Sequence, residues 1–520
     1  MGMFRFQFGL TLLVALIFQS LYAFGQRPDN YPPDDTSVKI EGSNLPIVFI
    51  NVGGQQIMKD ERITAKMTII NNVGGGNYSD TVSHPNQNIE FEGIIGLKYR
   101  GNGSFGQADK KPYSIHFLTD SIERDGKKRE EAVLGMPAHN DWALLSMYKD
   151  KSLLRDMLSF SLAQGYLEYV PDGKFCELIL DGTYYGIFLF CERPRRGKTR
   201  LDIKKPGEEG DKLTGGYLVE IDRPNEEHYY ISKYHPKDKN GVEQMDKYVY
   251  FQYKDPDFDE LTQTQIDYLH NRIDAFEDAL AADSFKDTEN GYQKYIDDMS
   301  FIDYQLINEL SNNKDAYRLS TKMYKYRDSV DPRFKLTIWD FDIAWGKTNS
   351  IGFMTDVWAY ENNSRLRADE EWNPFWYERL MQDENYVNKL KNRWVECRNG
   401  RFSYNSIVET IDSLVNVLNM SGAIIRNYQA WPRMLSNFPW EYYHPKDYDD
   451  EINYLKDWIK NRIAWMDLQL INSTNIDKKF DNNLDNSITI FDINGIKHNM
   501  LQKGVNIVRL SNGKTTKIIH

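Results

Sequence analysis

Cysteine is scarce in this chain: Cys176, Cys191 and Cys397 are the three among 520 residues. Three thiols are too few for a disulfide scaffold, and an odd number leaves at least one free. Cys176 and Cys191 flank a predicted hairpin, but a turn at Asp181-Gly182 would not set them opposite each other, so all three read as small apolar packing residues. No His/Cys cluster has the spacing of a zinc site. Positive charge is also in deficit. A formal net charge of −12 removes the electrostatic case for binding nucleic acid. Beyond the first 25 residues, no run is apolar enough to cross a bilayer.

Those first residues read as a targeting segment. Arg5 is the only charge, an apolar run from Gly9 to Phe18 follows, and Ala23-Phe24-Gly25 precedes Gln26. A basic start, a short apolar stretch and small residues at the cut describe a secretory signal peptide over 1–25. An N-terminal membrane anchor is the alternative, but the run is too short to span a bilayer. No cysteine stands at the cleavage point, which argues against a lipid-anchored form. The mature protein is thus expected to be exported, to the periplasm, the cell surface or the medium, with no integral membrane segment.

The length exceeds what one core fills and suggests two lobes plus appendages. Aromatic residues make up 13%, with 33 Tyr and 11 Trp, enough for a large core and for exposed recognition surfaces. Residues 26–43 form a linker rich in Pro and Asp. Strands are predicted in LPIVFINV and ITAKMTII between 44 and 71, in IIGLKYR and YSIHF between 93 and 117, in a hairpin at 177–190 turning on Asp-Gly, and in TGGYLVEID at 214–222. Helical spacing then takes over at Ile266, Leu269, Ile273, Phe276 and Leu280, in a helix carrying Phe301 to Leu310 that ends near Asn312-Asn313, and in a late stripe from Ile452 to Met466. These stripes read as core. The outline is α+β, β-rich first and helical second.

The most informative stretch runs from Asn308 to Gly346. Leu336, Ile338, Phe341 and Ile343 predict a strand through KLTIWDFDIAWG. Asp340 and Asp342 would then share one face, roughly 7 Å apart. Two carboxylates that close repel unless a proton or cation lies between them, and a hard divalent cation suits oxygen ligands and brings phosphates with it. A pair of solvated turn or edge-strand residues is the bland alternative; the flanking Trp339, Phe341 and Trp345 favour a partly buried pair. Asn313 and Asp315 offer a second polar pair.

Residues 100–112 read RGNGSFGQADKKP. Gly101, Gly103 and Gly106 satisfy G-x-G-x-x-G, but a strand rather than a helix follows Pro112, so the dinucleotide reading fails on context. A strand, a Gly-rich loop and a strand with a lysine can bring backbone N–H groups and a point charge to phosphate oxygens. An ordinary hairpin loop with surface lysines is the competing reading.

Together these residues resemble the spore-coat protein H (CotH) kinase family of atypical kinases. The resemblance rests on YRGNGSFGQADKKPYSIHF, DWALLSMYKDKSLLRDMLSFSLA, CELILDGTYYGIFLFCERPRRGKTRLDI, GGYLVEID, INELSNNKDAYRLSTKMYKY and IWDFDIAWG, in the family's order from about residue 90 to 350, with fainter likeness from 44 to 470. It implies an atypical protein-kinase-like, two-lobed domain over 44–474, the β-rich lobe reaching to about 222, and transfer of the ATP γ-phosphate to Ser or Thr of a secreted or envelope protein. By resemblance, Arg100, Asn102, Ser104 and Lys111 (preferred over Lys110) belong to the nucleotide-covering segment. Glu192 lies near the adenine or organises a lysine. Asp315 is the catalytic aspartate, Asn313 supports it or touches a metal, and Asp340 and Asp342 hold Mg²⁺ or Mn²⁺. Gly103 departs from the family, where many members carry Ser or Thr; Ser104 keeps a hydroxyl. Residues 475–520 read as a short β tail resembling part of a secretion sorting domain. A catalytically inactive, kinase-like surface or assembly protein is the alternative, and a glycan-associated factor a third, suggested only by the abundant Tyr and Trp.

Overall fold

The computed structural model describes residues 30–471, apart from 73, 75, 225, 226, 367 and 368, together with the backbone of four strands between 488 and 519. The signal-peptide reading lies outside the described residues.

Seven strands of the first half close into a barrel. They are β1 (Ile47–Asn51), β2 (Ile63–Ile70), β3 (Ile89–Tyr99), β4 (Tyr113–Leu118), β5 (Asp141–Leu145), β6 (Gly173–Leu180) and β7 (Thr183–Glu192). Their order is β6-β7-β5-β4-β3-β2-β1, and the barrel is shut by a parallel pairing of β1 with β6, Ile47 opposite Glu177 and Ile50 opposite Leu180. The β6–β7 hairpin turns on Asp181 and Gly182, at φ 45° and 79°. Those are the positive angles that a two-residue hairpin demands and that Asp-Gly tolerates. Its register sets Cys176 opposite Phe188 and Cys191 opposite Gly173, and all three cysteines are buried and free. At Gly186 (φ 89°), a Cβ would stand 2.4 Å from Asn427 Oδ1, so only glycine lets the helix Ala423–Ala430 approach β7 this closely.

The second half has a sheet of its own. β8 (Tyr217–Ile221), β9 (Tyr229–Ile231), β10 (Tyr250–Asp255), β11 (Thr321–Lys325) and β12 (Phe334–Thr337) run in the order β9-β10-β8-β11-β12. The GGYLVEID strand therefore pairs with β10 and with β11, a hundred residues later, Glu220 facing Lys322, rather than with the barrel. The helices follow the predicted stripes. In chain order they include α1 (Arg155–Ala163), α2 (Gln263–Ala281), α3 (Asp298–Ser311) and α4 (Tyr448–Leu470). A capping box of Thr262 and Gln265 opens α2, and Asp297 caps α3 by accepting from the Ser300 amide at 3.0 Å. Asn312, left-handed at φ 40°, stops α3. One apolar core runs without a break from the barrel through Trp345, Trp376, Trp394 and Trp431 to the late helix. Among the described residues, no helix is long and apolar enough to cross a membrane.

Residues 472–520 form a separate unit. Ile488–Asp492 pairs with Lys497–His498 and with Val505–Leu510, which pairs with Thr515–Ile519, all antiparallel.

Candidate active site

The strand predicted through the two aspartates ends early. β12 stops at Thr337, and Asp340 adopts φ 67°, so Asp340 and Asp342 stand on an irregular turn and not on one strand face. Tertiary bonds take the place of a ladder. The Phe341 amide donates to Asp156 Oδ1 at 2.7 Å, and the Trp345 amide to the Ser311 carbonyl at 2.8 Å. The Trp345 indole donates to Ser159 Oγ at 2.9 Å. Arg155, buried in α1, donates to the Ala344 carbonyl at 3.0 Å while ion-paired with Asp150 and Glu451. The N-terminal turn of α1 thus grips the aspartate turn from below.

The end of α3 brings the second polar pair to the same place. Beyond its Asn312 cap, Asn313 donates to Asn308 Oδ1 at 3.2 Å and to the Asp340 carbonyl at 3.4 Å, and accepts from the Asp315 amide at 3.2 Å. Asp315 Oδ1 accepts from Arg318 at 2.9 Å, and Arg318 also pairs with Asp369 at 3.0 Å. No helix follows Asp315 for it to cap. Its carboxylate is held by a buried arginine. Ser320 Oγ donates to Asp340 Oδ2 at 3.1 Å.

The electrostatics are those of buried carboxylates set near one another. Burial and then the neighbouring Asp340 push Asp342 up to about 7. Asp340 is raised by burial and by Asp315, against Arg100 and the Ser320 bond. Asp156 is raised well above the carboxylate range by burial, Asp342 and Asp340. Asp222, at the end of β8, is lifted to about 7 by burial and Glu220, with a smaller contribution from Asp340. These acids stand close enough to suppress one another's ionisation. Asp340 nevertheless remains open to solvent and Asp342 is half-buried, so a solute can reach them.

Two cations face this group. Arg100, at the end of β3, lays its guanidinium 5.1 Å from the centre of the Trp339 ring, and its buried Nε has no hydrogen-bond partner. Lys149, which the sequence did not single out, exerts its charge on both Asp340 and Asp342. Lys111 points elsewhere: its ammonium donates to the Phe105 carbonyl and lies 4.3 Å from the Tyr31 ring centre and 4.6 Å from that of Phe105. It ties down the Gly-rich segment, which forms a helical turn, Gly103–Gln107, instead of an open hairpin loop. Lys110 goes the opposite way, buried against the Ile187 carbonyl, Asn427 Oδ1 (2.9 Å) and the Phe188 ring. Asn102 is exposed, in reach of Lys59 at 3.4 Å, and Ser104 packs its hydroxyl over Gly101, whose φ of 79° and lack of a Cβ make room for it. Glu192 is buried, accepts from Tyr169 and the Asp172 amide, both at 3.2 Å, and lies 3.8 Å from Arg200, so it organises an arginine rather than a lysine.

The family profile described as CotH kinase protein matches residues 97–466, well over half of the chain. The chain belongs to the CotH kinase family. No curated protein matches it. The CotH match spans both halves of the site, from the strand before Arg100 to the late helix that buttresses the aspartate turn, and it points to kinase-like activity. A kinase-like protein is expected to use ATP and a divalent cation. Among the described residues, no three His, Cys, Asp or Glu side chains are gathered into a ready metal cage. The donor set nonetheless fits Mg²⁺ or Mn²⁺ in a CotH protein, because such ions take one or two carboxylates and complete their shell with phosphates and water. Asp340 and Asp342 are hard oxygen donors whose proton affinity is raised by burial and then by the neighbouring carboxylates.

Proposed function

We propose that this protein is an exported atypical kinase that transfers the γ-phosphate of ATP to a Ser or Thr hydroxyl of a secreted or envelope protein. The observation that carries the reading is the convergence of Asp315, Asp340 and Asp342 beside Arg100, within a chain of the CotH family. In this reading the barrel and the helical half correspond to the nucleotide-covering and catalytic parts of a two-lobed kinase.

Asp340 and Asp342 would hold the divalent cation, which when bound neutralises charge on the phosphate oxygens. The chain's own groups do the rest. Asp315, held by Arg318, accepts the proton of the substrate hydroxyl as its oxygen bonds to the γ-phosphorus and the bond to the β-phosphate oxygen breaks, releasing ADP. Asn313 sets the approach by bonding both the Asp315 amide and the Asp340 carbonyl. Arg100, stacked on Trp339 with an unmatched Nε, supplies positive charge from the barrel side. Incubation with Mg²⁺ and γ-labelled ATP tests the reading. Label on the protein or on casein, lost in Asp315→Asn, supports it. No transfer by the parent protein with either Mg²⁺ or Mn²⁺ supports the non-catalytic surface module instead.

A further inference from the structure

The turn between β5 and α1, residues 146–154, is pinned at nearly every polar position. The Tyr148 hydroxyl donates to Asp109 Oδ2 at 3.1 Å, and the Asp150 amide donates to the Met147 carbonyl at 3.0 Å. Asp150 accepts from the Ser152 amide at 2.9 Å, the Ser152 hydroxyl at 2.6 Å and the Arg155 amide at 2.8 Å. Lys151 pairs with the buried Glu441 at 2.6 Å. Among the charged residues of the turn, Lys149 is the exception. It is half-buried, and its ammonium makes neither a hydrogen bond nor an ion pair with any described residue. A rigid turn therefore presents one uncommitted lysine.

Its position is specific. The Lys149 ammonium lies 3.6 Å from where a Cβ on Gly103 would stand. It is thus beside the Gly-rich turn, and near enough to Asp340 and Asp342 for its charge to act on both. A flexible ammonium with three donors can reach several phosphate oxygens at once.

We propose that Lys149 contacts the β- and γ-phosphate oxygens of the bound nucleotide, from beside Gly103. The assignment rests on the kinase reading above. It gives the site its phosphate lysine, leaving Lys111 as the tether of the Gly-rich turn.

A rival explanation predicts the opposite sign. If Lys149 only offsets the carboxylates, removing it concentrates negative charge and tightens cation binding. Calorimetric titration of parent, Lys149→Met, Lys149→Arg and Asp340→Asn proteins with Mg-ATP, AMP and Mn²⁺ alone separates the cases. Expected are at least a tenfold loss of Mg-ATP affinity in Lys149→Met, substantial recovery in Lys149→Arg, unchanged AMP affinity and an unchanged melting temperature. Mg-ATP affinity within twofold of parent or tighter in Lys149→Met, while Asp340→Asn has lost binding, overturns the lysine assignment and leaves the kinase reading standing. If the parent itself binds no Mg-ATP, both fall.

Discussion

The Phe341 amide, which lies between the two aspartates of the turn, donates to Asp156 Oδ1 at 2.7 Å. This bond ties the backbone between them to α1. Asp156 is itself buried, with a proton affinity raised by burial and by Asp342 and Asp340, so its charged form is disfavoured when no cation is bound. Asparagine keeps the accepting oxygen and removes that charge. Asp156→Asn should change stability by less than about 1 kcal/mol, whereas Asp156→Ala strands a buried amide and should lose about 1–3 kcal/mol. Equal denaturant midpoints for the two variants would refute this account.

Stability without metal should fall as pH rises. Asp342 moves from 3.8 to about 7 in the folded state, so between those values the folded protein holds a proton that the unfolded chain has released. Asp342→Asn should flatten part of this slope and melt higher than the parent at pH 7.5 in chelator, while gaining nothing from Mn²⁺. The parent should gain more from Mn²⁺ at pH 7.5 than at pH 5. Scanning calorimetry with and without Mn²⁺ reads all three; a parent curve that rises through this window contradicts the assignment.

Asp315→Asn should leave Mg-ATP affinity nearly intact and reduce phosphoryl transfer about a hundredfold or more, the scale of a lost general base. Its tie to Arg318 can persist through the asparagine oxygen, so the melting temperature should hold. A lowered melting point with an unchanged rate would make Asp315 structural.

The adjacent lysines should separate cleanly. Lys110 is wholly buried and bonds Asn427 Oδ1 at 2.9 Å, so Lys110→Met should lose about 1–3 kcal/mol of stability with little effect on nucleotide affinity. Lys111→Met frees the Phe105 carbonyl and loosens the Gly-rich turn. It should weaken Mg-ATP binding more than Lys110→Met does, but less than Lys149→Met. Equal, small effects from both would return this segment to an ordinary loop.

Local chemistry was legible where a residue's own backbone preference decides the conformation. Asp181-Gly182 announced the hairpin and Asn312-Asn313 the end of α3, because few residues tolerate positive φ. The aspartate turn was misread for the converse reason. Its alternating apolar residues look like a strand, yet the turn is held by bonds from the Phe341 amide to Asp156 and from the Trp345 amide to Ser311 that no local pattern contains. Lys149 was invisible on the same ground: its setting depends on Gly103, forty-six positions earlier, and on an aspartate turn nearly two hundred later. That Asp315, Asp340 and Asp342 would meet was legible only through the order of the family's segments.

The parallel seam between Ile47–Asn51 and Gly173–Leu180 also fixes an order of events. The barrel cannot shut until its first strand has waited for the sixth, and the middle strand of the other sheet, Tyr217–Ile221, must wait for Thr321–Lys325. Contacts of such long sequence separation form slowly, because loop entropy is lost before pairing rewards it. The turn carrying Asp340 and Asp342 depends on both events, through β12 on one side and α1 on the other. It should therefore be among the last parts of the chain to take shape, and a nascent or truncated chain ending before residue 340 should be without phosphoryl-transfer chemistry.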